Sequence, residues 1–229
     1  MTNNLSQIIV AVVLLGISTA ASAQNPYVSF GIVGTRSLVD FGGVNTSGSF
    51  PNTDQQREYT SGVSLAFGLQ DQFALGNTSI TPEVDFAWYR DYNTQSASFP
   101  GLPAPTAFYD SSIETGRFGV NFWTPFHADE IWRMEAGVGF GAMYRDISTN
   151  DTVVQGRKDD YVPYGKLGLR FLREVSDKGS LTFGTSYLFS DSTTVPLSTV
   201  FGGAPAAGDL EVETDHVEIT IGYQFRLGK

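Results

Sequence analysis

The sequence predicts an all-β chain: an eight-stranded antiparallel transmembrane β-barrel preceded by a cleavable signal peptide. Three observations carry that reading. Residues 1–23 have the layout of an export signal, the remainder alternates apolar and polar side chains with a period of two, and the alternating segments are joined by connections of alternately long and short length. Composition agrees. The 229 residues carry 24 acidic and 14 basic side chains, a formal net charge of −10, with no cysteine, 2 histidines, 25 glycines, 17 phenylalanines and 10 tyrosines. Such a chain can form neither a disulfide framework nor a thiolate metal site, and two histidines do not make a histidine-rich metal centre. No metal and no cofactor is expected. The acidic balance argues against a nucleic-acid partner, which requires a basic footprint. Abundant glycine and aromatics suit strands with close side-chain contacts. The mean hydropathy of −0.09 would by itself suggest a soluble protein, because averaging hides an alternation.

The first segment, MTNNLSQIIVAVVLLGISTAASA, has no charged side chain. Its apolar run from Ile8 to Ile17 is followed by small residues ending Ala21-Ser22-Ala23, an A-x-A cleavage pattern. The run is too short to cross roughly 30 Å of hydrocarbon, which takes about 20 helical residues. The expected division is therefore 1–23 signal peptide and 24–229 barrel domain. An exported chain of this kind is periplasmic, secreted or a membrane barrel, and the strands decide among these.

Eight segments alternate: Tyr27–Asp40, Glu58–Leu69, Thr78–Tyr92, Ser112–Trp123, Ile131–Arg145, Tyr161–Leu172, Ser180–Phe189 and Val212–Arg226. Each reaches the roughly 9–11 residues that a tilted membrane strand needs. The connections Leu38–Arg57, Asn93–Ser111, Asp146–Asp160 and Ser190–Glu211 are long and polar, whereas Gln70–Asn77, Thr124–Glu130 and Arg173–Gly179 are short. Short periplasmic turns alternating with long outer loops are the pattern of membrane barrels.

Split by parity, each segment shows an apolar face and a glycine-rich polar face. Phe118, Val120 and Phe122 oppose Arg117, Gly119 and Asn121; Val217, Ile219 and Ile221 oppose His216, Glu218 and Gly222. Eight strands enclose room only for packed side chains, so eight large apolar faces cannot all point inward. They face lipid, and the polar faces line the lumen. The inward acids Glu83, Asp85, Glu135 and Glu218 match the inward bases Arg117, Arg133, Lys166 and Arg170. Buried charges are tolerable when paired, so a salt-bridge network is expected, with Glu83 and Asp85 reaching Arg117, and Glu135 reaching Arg133, Lys166 and Arg170. Aromatics at strand ends predict two girdles at headgroup level: Tyr27, Phe122, Trp132, Tyr223 and Phe225 at the periplasmic end, and Trp88, Tyr92, Tyr144, Tyr161, Tyr187 and Phe189 at the outer end.

The last segment ends Ile219-Thr220-Ile221-Gly222-Tyr223-Gln224-Phe225, with Arg226–Lys229 beyond it. Through this ending and the eight-segment pattern, Gln24–Lys229 resembles the small eight-stranded outer-membrane barrels of the OmpA, OmpX and Opa type. That resemblance implies location in the outer membrane of a Gram-negative bacterium, with lipid and lipopolysaccharide around the barrel. It also implies that Gly222, Tyr223 and Phe225 form the signal read by the barrel assembly machinery. Family members usually stop at the Phe.

The same residues bear on catalysis. Ser186, His216 and Glu218 share the inward face of neighbouring segments and form a nucleophile, base and orienting group on paper. An enzyme acting on lipid must present such groups outward, so no catalytic residue is expected. His127 falls in a short turn and reads as solvated. The acidic outer connections, Asp159-Asp160 and Asp209–Asp215 among them, offer oxygen ligands of the type Ca²⁺ prefers, but read more simply as solubilising charge. Loops on a rigid scaffold are where binding usually resides. The expected role is at the surface, in adhesion or envelope integrity, with an extracellular ligand at the loops. The alternative is a narrow porin-like channel for small solutes, and behind it a lipid-modifying enzyme.

Overall fold

The computed structural model describes residues 25–45, 48–49, 56–76, 78–98, 107–151, 154–200 and 205–227. The expected signal peptide, 1–23, lies outside the described residues, as do parts of the connections Leu38–Arg57, Asn93–Ser111 and Ser190–Glu211. Eight staves form the wall: β1 Pro26–Asn45, β2 Gln56–Leu69, β3 Thr78–Tyr89 (resuming as Tyr92–Ser98), β4 Ala107–Ala128, β5 Trp132–Asn150, β6 Val154–Ser176, β7 Gly179–Ser190 (resuming as Thr193–Thr199) and β8 Pro205–Arg226. Each runs antiparallel to the next, and β8 closes on β1 from Tyr27↔Arg226 to Asn45↔Gly208. Closure leaves no edge to desolvate in hydrocarbon.

The short turns are built by side chains. Asp129, between β4 and β5, accepts hydrogen bonds from the backbone N–H groups of Trp132 (2.7 Å) and Ile131 (2.8 Å), which hold its carboxyl below the usual carboxylate range. After β2 the chain turns at Asp71 (φ 55°), then forms a small hairpin in which Phe73–Leu75 pairs with the start of β3 around Gly76 (φ 63°). The left-handed conformation there is one that glycine adopts without steric cost.

The staves run further than the alternation alone suggested. β5 and β6 stay paired from Trp132↔Arg173 to Asn150↔Gln155, so the expected loop Asp146–Asp160 is sheet over 146–150 and 154–160. Ser190–Glu211 likewise contains Thr193–Thr199 and the start of β8, and Asn93–Ser111 contains most of Tyr92–Ser98 and the start of β4. The physical reason is an inversion of the pattern. Near the membrane level the outward side chains are apolar: Phe30, Ile32, Val63, Phe140, Leu167, Ile219 and Ile221 are all exposed. Above it the same strands turn polar outside and apolar inside. On β8, Ile219 and Ile221 face outward low on the strand, while Glu211 and Glu213 face outward high on it and Leu210 and Val212 are buried. The lower barrel meets lipid, and the upper barrel meets water and packs like a soluble one.

One seam interrupts the upper wall. β2 and β3 pair from Gly68↔Glu83 up to Gly62↔Tyr89. Above that the backbone N–H of Arg90 donates to Ser61 O (2.8 Å) and Thr60 Oγ1 donates to Arg90 O (2.9 Å). Beyond this point, among the described residues, Tyr92–Ser98 pairs only with β4, and no ladder joins it to Gln56–Thr60.

The inversion makes an opposite prediction for two residues on one face of one strand. Ile219→Arg should cost up to about 2–4 kcal/mol in lipid, while Glu213→Arg should stay within about 0.5 kcal/mol. Denaturant unfolding in vesicles checks both.

Candidate functional site: lumen and outer sheet

The lower lumen holds the charged residues that parity placed inward. Apart from Arg133, whose side chain is 16% exposed, their side chains are at most 10% exposed. They form two linked groups. In the upper group, Asp85 on β3 accepts from Arg117 on β4 and, across the lumen, from Lys166 Nζ on β6 (3.1 Å). Arg117 also donates from Nε and Nη2 to Glu218 on β8, the opposite stave, each at 3.1 Å. Tyr89 donates to the same carboxylate. In the lower group, Glu83 accepts from Tyr27 Oη (2.6 Å), Trp123 Nε1 (2.9 Å), Asn121 Nδ2 (3.0 Å) and Arg170 Nη1 (2.6 Å). Arg170 also donates to Glu135, which accepts from Arg133 Nε as well (2.6 Å). Arg133 continues to Asp71 in the β2–β3 turn (3.0 and 2.6 Å).

Two expected pairings are corrected. Glu83 pairs with Arg170 rather than Arg117, and Lys166 pairs with Asp85 rather than Glu135. Adjacency along the sheet suggested the wrong partners because a narrow barrel brings β3 close to β6 across the lumen. Sequence reasoning also missed the aromatic half of this lattice. Trp123, Tyr89 and Tyr164 share inward parity with Arg117, Asp85 and Lys166 respectively, and that parity would have found them. Arg170 lies 4.4 Å over the Trp123 ring. The ring itself rests on Gly137 and Gly168, where a Cβ would collide with it or crowd it, so the inward glycines seat aromatic rings as well as long charged chains.

Of the aromatics expected in the girdles, all but two face outward. Trp88, Tyr144 and Tyr161 stack in series on the outside (5.9 and 5.2 Å between ring centroids), and Phe30, Tyr223 and Phe225 cluster at the periplasmic end. Phe122, Trp132 and Tyr187 face outward too. Tyr27 and Tyr92 do not. Tyr27 is buried inward on Glu83, and Tyr92 is buried in the upper lumen. Strand-end position suggested the girdle; Tyr27 shares the inward parity of β1, whereas Tyr92 turns inward because the interruption of β3 at Arg90 and Asp91 shifts the phase of the strand by one residue.

Above the charged lattice the lumen is filled by an apolar plug. Val39 and Phe41 of β1, Tyr92, Tyr109 and Ile113 of β4, Ile147 of β5, Val195, Leu197, and Leu210 and Val212 of β8 form one cluster. The upper lumen thus combines this apolar cluster with buried hydroxyls of Thr94, Ser111, Thr149 and Thr193, which corrects the expectation of a polar, salt-bridged interior throughout. At the boundary lies Arg145, fully buried. It donates to Asp191 O (2.7 Å), Thr214 O (3.2 Å), Thr193 Oγ1 (3.4 Å) and Ser190 Oγ, where β7 is interrupted. His216 is buried beside it, with Nδ1 3.0 Å from Ser37 Oγ and its ring stacked on Tyr89. Ser186 donates instead to Glu218 (3.3 Å), so the three residues of the paper triad do not assemble. His127 lies exposed, 3.3 Å from Asp129. Among the described residues no group of three or more His, Cys, Asp or Glu gathers as a metal site. Of the loop acids, Asp146 pairs with Arg157, and Asp209, Glu211 and Glu213 stand exposed on the outer face of β8.

Removing one member of a buried pair leaves its partner charged and dry, which costs about 3–5 kcal/mol. Arg170→Ala should show a loss of that size in urea unfolding. A double-mutant cycle on Glu83 and Arg170 should give a coupling of about 0.5–3 kcal/mol, and the pair Glu83 and Arg117 should give none.

The sequence matches no family model and no curated protein. Among solved structures, the barrel is similar to the outer membrane protein OprG from Pseudomonas aeruginosa, with TM-score 0.59 and 12% identity over 90% of this chain and 98% of that one. It is also similar to the outer membrane protease OmpT from Escherichia coli, with TM-score 0.56 and 6% identity over 90% and 98%. Identities this low speak to fold alone. Together with the exposed apolar belt and the closed ring of staves, they show that the chain has the fold of the small outer-membrane β-barrels.

Proposed function

We propose that this chain is a closed, non-conducting and non-catalytic barrel whose working part is the sheet and loops that stand outside the membrane, in a surface-recognition or envelope-integrity role. The observation that carries this reading is the double filling of the lumen. Chords from β3 to β6 and from β4 to β8 span the lower section, and the apolar plug occupies the section above. A polar solute would have to break buried ion pairs and then cross a dry apolar layer. The non-catalytic reading is supported by His216, whose ring is buried and bound to Ser37 rather than to the residues a triad would use. The membrane-spanning wall supplies rigidity, and the outer sheet supplies exposed, varied side chains on that rigid base.

Single-channel recording in planar bilayers tests the reading. The protein should give no discrete conductance steps. Regular steps would instead support the narrow channel.

The ending Gly222-Tyr223-Gln224-Phe225 fits the reading of an assembly signal. Phe225 is exposed to lipid beside Tyr223 and Phe30. If the barrel assembly machinery reads it, Phe225→Ala should lower the amount of barrel reaching the membrane in cells several-fold. The same variant should still fold in detergent, as judged by the mobility shift between unboiled and boiled samples on gels. Equal loss in both settings would assign Phe225 to packing alone.

A further inference from the structure

The seam in the upper wall opens onto a crevice of about 600 Å³, a volume typical of small-ligand sites. Its chemistry is set by register. Tyr92–Ser98, β4 and β5 pair so that Asn93, Ser112 and Ser148 form one row across three strands, and Gln95, Asp110 and Asn150 form the next. All six line the crevice and face outward by strand parity. Neighbouring strands lie roughly 4.8 Å apart, and alternate residues along a strand roughly 6.6–6.8 Å apart. The two rows are therefore a flat grid of short hydrogen-bonding groups. The far bank, across the unpaired seam, is supplied by Gln56 and Glu58 of β2. Thr94, between Asn93 and Gln95, also lines the crevice, but its side chain is buried and by parity points inward, away from the grid.

We propose that this crevice binds a neutral saccharide chain. This rests on the reading of the outer sheet as a recognition surface and names its ligand class. Serine hydroxyls and carboxamides both donate and accept, and so does every sugar hydroxyl. Asp110 and Glu58 add acceptors of the kind that hold a pair of vicinal hydroxyls. Among the described residues no lysine or arginine lines the crevice, and the carboxylates of Glu58 and Asp110 repel anions, so sulfated, phosphorylated or sialylated chains are disfavoured. The lining is also too polar for an acyl chain. The contrast with the rest of the outer wall supports the assignment. The outward face of β8 carries Asp209, Glu211, Glu213 and Asp215 in succession, the pattern of a solvated wall, whereas the grid is almost uncharged. Short side chains are also poor surface fillers; here they leave the groove open.

The test uses the protein folded in detergent micelles on an array of neutral hexose and N-acetylhexosamine oligosaccharides, with sulfated and sialylated oligosaccharides alongside. Any neutral chain retained is then titrated calorimetrically. Retention of neutral chains is expected, with at least a tenfold loss of affinity in Gln95→Ala combined with Asn150→Ala. The same loss is expected in Ser148→Trp, which fills the groove from an exposed strand position. Both variants should keep the gel mobility shift of the folded barrel. The proposal is overturned by failure to retain any neutral chain, by preference for the anionic chains, or by binding that survives both variants. The broader reading fails differently: conductance steps would sink the closed barrel whatever the array shows, and a silent barrel that binds no sugar loses only the saccharide assignment.

Discussion

Everything in this molecule depends on the ladder between β1 and β8. A backbone N–H or C=O without a partner is prohibitively costly in hydrocarbon, so a sheet can cross a membrane only if its two ends meet. Closure fixes the rest. It forces every other side chain outward into lipid and the alternate ones into a lumen too narrow to stay empty. A lumen of this width must be filled by the staves themselves, and the filling has to satisfy whatever polar groups it brings. Arg117 and Arg170 do this for carboxylates on three different staves, joining opposite sides of the ring. The charges thus act as cross-ties as well as filler. One fully hydrogen-bonded carboxylate such as Glu83 fixes four other side chains at once.

The upper barrel obeys the same geometry under a different solvent. The alternation of side chains resumes above the membrane with its sense reversed, and its phase shifts where β3 and β7 are interrupted: Tyr89 and then Tyr92 face inward, as do Leu188 and then Thr193. Between the two regimes lies a narrow zone where neither rule suffices. Arg145 sits there, a cation with no ion-pair partner among the described residues, held by Asp191 O and Ser190 Oγ at the interruption of β7 and by Thr214 O of β8. Strand interruptions at this height on β3 and β7 are thus part of the solution to changing the contents of the lumen from charged to apolar.

The sequence made the barrel legible because the period of two survives burial, exposure and changes of solvent, and because glycine opposite phenylalanine has only one sensible placement around a small ring. Membership of the lumen network was legible for the same reason. Partners inside it were not. Neighbourhood along a sheet is written in the chain, whereas neighbourhood across a lumen depends on the barrel's diameter and strand stagger, and so Glu83 was assigned to Arg117 when it belongs to Arg170. The upper strands were read as loops because acids such as Asp146, Glu211 and Glu213 look like loop residues when the inside is assumed to be polar. Val39, Ile147 and Val212 carried the opposite message, but only to a reading that allows the apolar face to switch sides. Parity places Tyr27 correctly where position does not, whereas Tyr92 escapes both, because the interruption after Tyr89 shifts the phase of the strand. The grid on β3, β4 and β5 was invisible, since it exists only in the register of three strands.

The seam between β2 and Tyr92–Ser98 has a mechanical consequence. A closed tube resists torsion because any slip of one wall segment past the next must strain bonds around the whole circumference, while a tube slit along its length twists easily. In this barrel, among the described residues, the slit begins only above Thr60 and Arg90. The section in the membrane is therefore stiff and the section outside it compliant, so the two banks of the slit can change their separation without disturbing the staves that cross the bilayer.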